Sequence, residues 1–76
     1  MALERGECRL REKRLAAKMT QQELSDKIFK NFGLEVSAQM IGHIENNRKG
    51  MNVLLLRACA RIFKCHMDDF YTWPIT

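Results

Sequence analysis

Two short amphipathic stretches, each opened by a hydroxyl side chain, constrain the fold of this 76-residue chain most strongly. Thr20 is followed three residues later by Glu23, which is the spacing of a capping box at a helix start. Ser37 opens the second stretch, which has apolar residues at helical spacing and ends in the polar, basic run 46–49. The pattern predicts two consecutive helices packed at an angle, with the second presented outward.

The rest of the chain also predicts helices. It has only four glycines and one proline, and an apolar fraction of 46% favours a compact domain over a disordered chain. Gly33 is the expected end of the second helix, and Asn52 is the expected cap of the fourth. We predict a single domain over residues 1–76. Its five helices are expected at about residues 7–18, 21–32, 38–46, 53–64 and 67–72.

The helical period assigns inner faces to two of these helices. In the first helix, Leu10, Arg14 and Ala17 share one face. An arginine there needs a partner, because an unpaired buried charge is costly, unless its long stem reaches solvent. The fourth helix is expected to bury Val53, Leu56, Cys59, Ala60 and Phe63. This assignment leaves Leu54 and Leu55 facing outward.

Composition excludes several functional classes. No run approaches the roughly 18 apolar residues of a membrane span, and the charged N-terminus lacks a signal peptide, so we expect a cytoplasmic protein. Cys8, Cys59 and Cys65 fit neither a disulfide framework nor a zinc pattern and are interpreted as inert thiols without a metal. No nucleophile lies beside a base, so we expect neither an enzyme nor a cofactor. The net charge of +4 is compatible with a polyanionic partner.

Three segments, at residues 20–24, 37–45 and 52–71, carry a resemblance in this order. From about Leu10 to Tyr71 the chain resembles the Cro/phage-repressor (Xre) type of helix-turn-helix proteins. The resemblance implies an all-α, five-helix, lambda-repressor-like domain. Helices two and three would form the helix-turn-helix, and helix three would enter the major groove of double-stranded DNA. It also implies a partly buried ion pair between Arg14 and Glu45. The link between helices two and three is longer than the family's short turn, and its apolar residues predict packing.

The resemblance also implies which residues contact DNA. Positions matching Ala38, Gln39 and His43 read bases in the resembling repressors, and Met40 is placed to contact a thymine methyl group. The expected contacts to the DNA backbone are Thr20, Gln21, Ser37, Asn46, Asn47, Arg48 and Lys49. The alternatives are a solvated Gln39, a His43 that contacts a phosphate or remains free, and an ordinary polar loop at 46–49.

We therefore expect a small transcription regulator that acts as a homodimer on a palindromic operator. A repressor of a phage or mobile element, a restriction–modification controller and an antitoxin all fit. The apolar residues expected at the dimer interface are Leu54, Leu55, Tyr71 and Trp73, with Phe70 and Ile75. Alternatively, Leu3 or the C-terminal tail covers them. The alternative function is a protein-interaction module that binds a toxin or regulator.

Overall fold

Four α-helices and one 3-10 turn make up the described part of the domain. The computed structural model describes residues 5–74. The elements are α1 (Leu10–Ala16), α2 (Gln21–Phe32), α3 (Ala38–Glu45), α4 (Val53–Phe63) and the 3-10 turn (Met67–Phe70). The all-helical class is confirmed, but the fifth helix is one 3-10 turn, because the backbone is already extended at Tyr71.

Most helix boundaries follow the start and stop signals in the sequence. Thr20 Oγ1 accepts from the N–H of Glu23 at 3.0 Å, and Glu23 Oε1 accepts from the N–H of Thr20 at 2.9 Å. Ser37 and Asn52 cap α3 and α4 with their side-chain oxygens. Gly33 ends α2 with a φ of 70°, a left-handed conformation that glycine adopts without steric cost.

The core lies where α2 packs on α3 and α4, with α1 on α3 and the 3-10 turn on α4. Its largest fully buried side chains are Phe70, Leu10, Leu24, Ile28, Ile41, Ile44 and Cys59. The Phe63 and Phe70 rings pack at 6.2 Å between centroids, which joins α4 to the 3-10 turn. Within residues 5–74, no helix has both the length and the apolar character to span a membrane.

The start of α1 differs from the prediction because residues 6–9 pair with residues 70–72 and are not helical. The N–H of Gly6 donates to the carbonyl of Thr72, and the N–H of Arg9 donates to that of Phe70, both at 2.7 Å. A Cβ on Gly6 would lie 2.7 Å from the Thr72 carbonyl oxygen, so this pairing requires glycine. We call residues 5–9 the N-terminal segment. Its pairing with residues 70–72 delays α1 to Leu10.

The helix α1 also ends earlier than predicted. Lys18 has a φ of 57°, which closes the helix at Ala16. Ala17 was predicted on the inner face and is exposed instead, whereas Leu10 and Arg14 are buried. The helical period therefore held only over the seven residues that form the helix.

The buried face of α4 is rotated relative to the prediction. Leu55 was predicted to face outward but is only 8% exposed, and Val53 was predicted in the core but is 66% exposed. The buried residues Leu55, Ala58 and Cys59 recur at helical spacing, and Val53, two residues before Leu55, falls on the opposite side of the helix. Leu54 is 63% exposed, as predicted.

The C-terminal residues correct the expected apolar patch. Phe70 and Tyr71 were predicted to be exposed, but they are 0% and 4% exposed because this segment packs under the N-terminal segment. Trp73 is 41% exposed. Leu3 and Ile75, which were also considered for this region, lie outside the described residues.

The long link between α2 and α3 is packed against the domain. Leu34 and Val36 are half-buried against the core, and the Ser25 hydroxyl of α2 donates to the Val36 carbonyl. Phe29 and Phe32, on the last turns of α2, remain 56% and 40% exposed. The link therefore holds the start of α3 in a fixed position while α2 presents two aromatic rings to solvent.

Candidate nucleic-acid interface

Glu45, the last residue of α3, connects three helices. Its carboxylate is 2.7 Å from Nε of Arg14, and Arg14 Nη2 donates to its second oxygen at 3.1 Å. From α2, Gln21 Nε2 donates to Glu45 Oε1 at 3.1 Å, and Arg11 Nε of α1 is 3.4 Å from the same oxygen. The ion pair implied by the resemblance is thus present, and the structure adds two further donors that the sequence did not reveal.

Electrostatics keep this pair charged. Burial raises the pKa of Glu45, but hydrogen bonds from Arg14, Gln21 and Arg11 outweigh that cost, so the pKa lies below its usual value. The hydrogen bond to Glu45 raises the pKa of Arg14. The Glu45 side chain is fully buried and that of Arg14 is 10% exposed, so each charge is stabilised mainly by the other rather than by water.

The outer face of α3 presents two polar side chains, Gln39 and His43, which we call the polar row. Gln39 is exposed, and His43, one helical turn later, is half-buried. Ala38 is half-buried at the start of the helix, and the opposite face buries two isoleucines in the core. Met40 is half-buried and packs against the core, which leaves it a smaller share of the outer surface.

Gly42 of α3 faces the Gln21 side chain of α2. A Cβ at Gly42 would lie 3.4 Å from Nε2 of Gln21, the side chain that also bonds to Glu45. The Gln21 side chain therefore lies beside Gly42 and also bonds to Glu45, the last residue of α3. These contacts join α2 to α3, whose relative position the long link left open at the level of sequence.

The turn after α3, which we call the basic turn (residues 46–50), closes the helix with a Schellman motif. The N–H of Arg48 donates to the carbonyl of His43 at 2.8 Å, and the N–H of Asn47 donates to that of Ile44 at 3.1 Å. Asn47 takes the left-handed conformation with a φ of 61°. Arg48 and Lys49 follow at once, and both are exposed.

Two asparagines tie the basic turn to the rest of the domain. Asn46 Oδ1 accepts from Arg11 Nη2 at 2.8 Å, and Asn47 Oδ1 accepts from the N–H of Cys8 at 3.1 Å. Each side-chain oxygen is thus engaged within the chain, while each amide nitrogen is a donor. The contacts of Arg11 with Glu45 and Asn46 were not predicted. The one sequence feature that could have indicated them is the position of Arg11, three residues before Arg14 on the same helix.

The start of α2 offers backbone donors beside α3. The capping box engages the N–H groups of Thr20 and Glu23, so those of Gln21 and Gln22 point out of the helix end. A helix N-terminus of this kind favours an anion. The polar row on α3, the N-terminus of α2 and the basic turn thus lie on adjacent elements.

A comparison with protein-family models decides the classification. The helix-turn-helix model matches residues 10–70, which is most of the chain. The chain belongs to this family. Its type is the Cro/phage-repressor (Xre-like) helix-turn-helix, a DNA-binding regulatory domain that is not typically catalytic. A search of curated proteins found no match.

The cysteines of this helix-turn-helix protein are packing residues. Burial raises the pKa of Cys59 to about 12, and burial also raises the pKa values of Cys8 and Cys65. All three are therefore protonated at neutral pH, the less reactive form. In the part of the chain that the structure describes, no group of three His, Cys, Asp or Glu side chains comes together as a metal site.

Proposed function

We propose that the protein is a transcription regulator that binds a palindromic operator as a homodimer, with α3 in the major groove. The observation that carries the proposal is the position of the exposed polar row on α3. The last residue of the same helix, Glu45, accepts from Gln21 at the start of α2, and the exposed Arg48 and Lys49 of the basic turn follow Glu45 closely in the chain. Glu45 and Gln21 hold α3 against α2, so the row is presented on a rigid element.

The two polar side chains of the row and the neighbouring Ala38 have a chemistry suited to a base edge. Gln39 can accept from adenine N6 and donate to adenine N7. His43 can donate to guanine N7 or O6, and the Ala38 methyl group can contact a thymine methyl group. Met40 belongs to the proposed set with a smaller exposed part, because it packs against the core.

Contacts to the DNA backbone would surround this row. Arg48 and Lys49 supply charge, and the amide nitrogens of Asn46 and Asn47 supply neutral donors. The Gln21 side chain is already bonded to Glu45, so we assign its backbone N–H to a phosphate. The hydroxyl-capped helix starts at Thr20 and Ser37 complete the proposed set.

The first test is selection of bound sequences from a random duplex pool. We expect a palindrome whose half-sites are about one helical turn, or roughly 34 Å, apart. Affinity for the selected duplex should fall steeply with salt, because each phosphate contact releases counterions. A variant with Arg48 and Lys49 both replaced by alanine should bind more weakly with a shallower salt dependence. An unenriched pool, or binding insensitive to salt, would contradict DNA recognition.

A homodimer needs an exposed apolar surface, and Leu54 is the strongest candidate. It is 63% exposed on α4, beside Val53 at 66%, and Trp73 is 41% exposed near the C-terminus. Leu55 and Tyr71 were also predicted at the dimer interface, but both are buried within the chain and are therefore not available to contact a second protomer.

Replacing Leu54 with glutamate and Trp73 with alanine should convert the dimer to a monomer, because a charge in an apolar interface is costly. The measurement is mass by light scattering across a concentration series. Leu15→Glu is the matched control, since Leu15 is 58% exposed on α1, and it should leave the mass unchanged. A double variant that keeps the dimer mass would remove α4 from the interface.

A second candidate function is binding of a protein partner. Its support is the exposed aromatic pair Phe29 and Phe32 on the lengthened α2, together with the groove between α2 and Val36. Solvent-exposed aromatic rings one turn apart are typical of helix surfaces that contact another protein. The duplex selection separates the two functions, since this one requires no enriched sequence.

A further inference from the structure

An arginine of the N-terminal segment lies against the basic turn. A Cβ built on Gly50 would be 3.3 Å from Cζ of Arg5 and nearer still to Nη1. The guanidinium group therefore occupies the space that any side chain at residue 50 would need. Lys49 precedes this glycine directly, so three cationic residues meet at one turn: Arg5, Arg48 and Lys49.

Tyr71 contacts both Arg5 and the residue that follows the basic turn. The Arg5 guanidinium lies over the Tyr71 ring, 5.3 Å from its centroid, in a cation–π contact. The Tyr71 hydroxyl accepts from the N–H of Met51, the residue after the basic turn, at 3.3 Å. Because Tyr71 is only 4% exposed, it is a rigid platform for the guanidinium and the turn together.

The N-terminal segment is itself anchored on two sides. Gly6 and Glu7 pair with Thr72, and the N–H of Cys8 donates to Asn47 of the basic turn. Arg5 is thus separated from anchored backbone by a single peptide bond. An exposed arginine held in this way loses less conformational entropy on binding than one on a free tail.

We propose that Arg5 is a phosphate-binding residue of the DNA interface and acts together with Arg48 and Lys49. The inference rests on the proposed function and adds a contact from outside the helix-turn-helix. Three cations around one turn repel one another, and a DNA phosphate relieves that repulsion. The planar guanidinium also suits two-point contact with phosphate oxygens. Gly50 has a role here as well, since its missing side chain leaves room for Arg5.

The test measures affinity for a mixed-sequence duplex across a salt series, which requires no knowledge of the operator. For Arg5→Ala, the slope of log affinity against log salt should become shallower by about 0.9 per protomer, and affinity at about 0.1 M salt should fall roughly 8-fold per protomer. Arg5→Lys should retain most of the slope. Arg61→Ala is the matched control, because Arg61 is an exposed arginine in the last turn of α4.

Gly50→Ala tests the position of the guanidinium without changing charge. We expect it to displace Arg5 and to reproduce part of the affinity loss in the native chain. In the Arg5→Ala background, the same substitution should have no further effect, because there is no guanidinium to displace. Far-ultraviolet circular dichroism should show native helix content in each variant.

The outcomes separate this inference from the proposed function. Salt-insensitive binding by the native chain would overturn both. A steep slope in the native chain, reduced by Arg48→Ala but unchanged by Arg5→Ala, would overturn the role of Arg5 and leave DNA binding in place. Additive effects of Arg5→Ala and Gly50→Ala would also overturn it, since independent residues add.

Discussion

Replacing Glu45 with alanine should lower the free energy of unfolding by about 3–5 kcal/mol, because it leaves the buried charge of Arg14 without a partner. The carboxylate it removes accepts from Arg14, Gln21 and Arg11, so contacts of α1 and α2 with α3 are lost together. A domain of this size is stable by roughly 4–11 kcal/mol, so the loss is a large share of the total. Thermal unfolding should show a Tm lower by roughly 12–40 °C.

Two control variants make this result specific. Replacing Arg14 with methionine and Glu45 with leucine together should recover most of the stability, because neither charge is then left buried alone. Glu12→Ala breaks the exposed pair of Arg9 and Glu12 and should cost less than about 1 kcal/mol. An unchanged Tm for Glu45→Ala would mean that the Arg14 guanidinium reaches solvent and that the ion pair does not stabilise the fold.

The same pair predicts acid sensitivity. The folded pKa of Glu45 lies below its value in the unfolded chain, which is about 4.3. Its contribution to stability is therefore fully present above about pH 4.3 and is lost as pH falls through the lower folded pKa. Urea unfolding from pH 7 to acid should show this loss in the native chain, and the difference between the native chain and Glu45→Ala should narrow at low pH.

Local signals in the sequence were sufficient for the starts of α2, α3 and α4. The caps at Thr20, Ser37 and Asn52 and the stop at Gly33 act within one turn of the chain, and each is used as predicted. Local reasoning was wrong at the start of α1, because the pairing of Gly6 with Thr72 connects residues far apart in sequence.

The rotation of α4 and the clustering of cations at the basic turn could not be predicted for a related reason. The helical period permits several faces, and contacts with other elements select Leu55 rather than Val53 for the core. Similarly, Arg5 and Gly50 are 45 residues apart, and it is the pairing of the N-terminal segment with residues 70–72 that brings them together. The family resemblance predicted which residues contact DNA, and these remain a prediction, whereas the contacts that hold them within the domain could be seen only in the structure.

Replacing Gln39 with alanine should weaken binding to the selected palindrome by about 2–6 kcal/mol, or roughly 30-fold to 20,000-fold. The reason is that each of two protomers would lose one bidentate contact, worth about 1–3 kcal/mol, to an adenine. Gln39 is exposed in the free protein, so stability should change by less than about 0.5 kcal/mol. The measurement is a titration of fluorescent duplex at fixed salt.

If Gln39 reads a base, the effect of Gln39→Ala on affinity should depend on the base at that position, whereas a contact to the DNA backbone would give the same loss with every base. If the adenine read by Gln39 is replaced in both half-sites, the native chain and Gln39→Ala should bind the altered duplex with equal affinity, because the coupled pair is already broken. Gln22→Ala is the matched control, because Gln22 is an exposed glutamine on α2 that donates to Asp26 at 3.0 Å. It should leave base preference unchanged. Equal losses on native and altered duplexes would assign Gln39 to the DNA backbone, and unchanged affinity would make it a solvated residue at the start of α3.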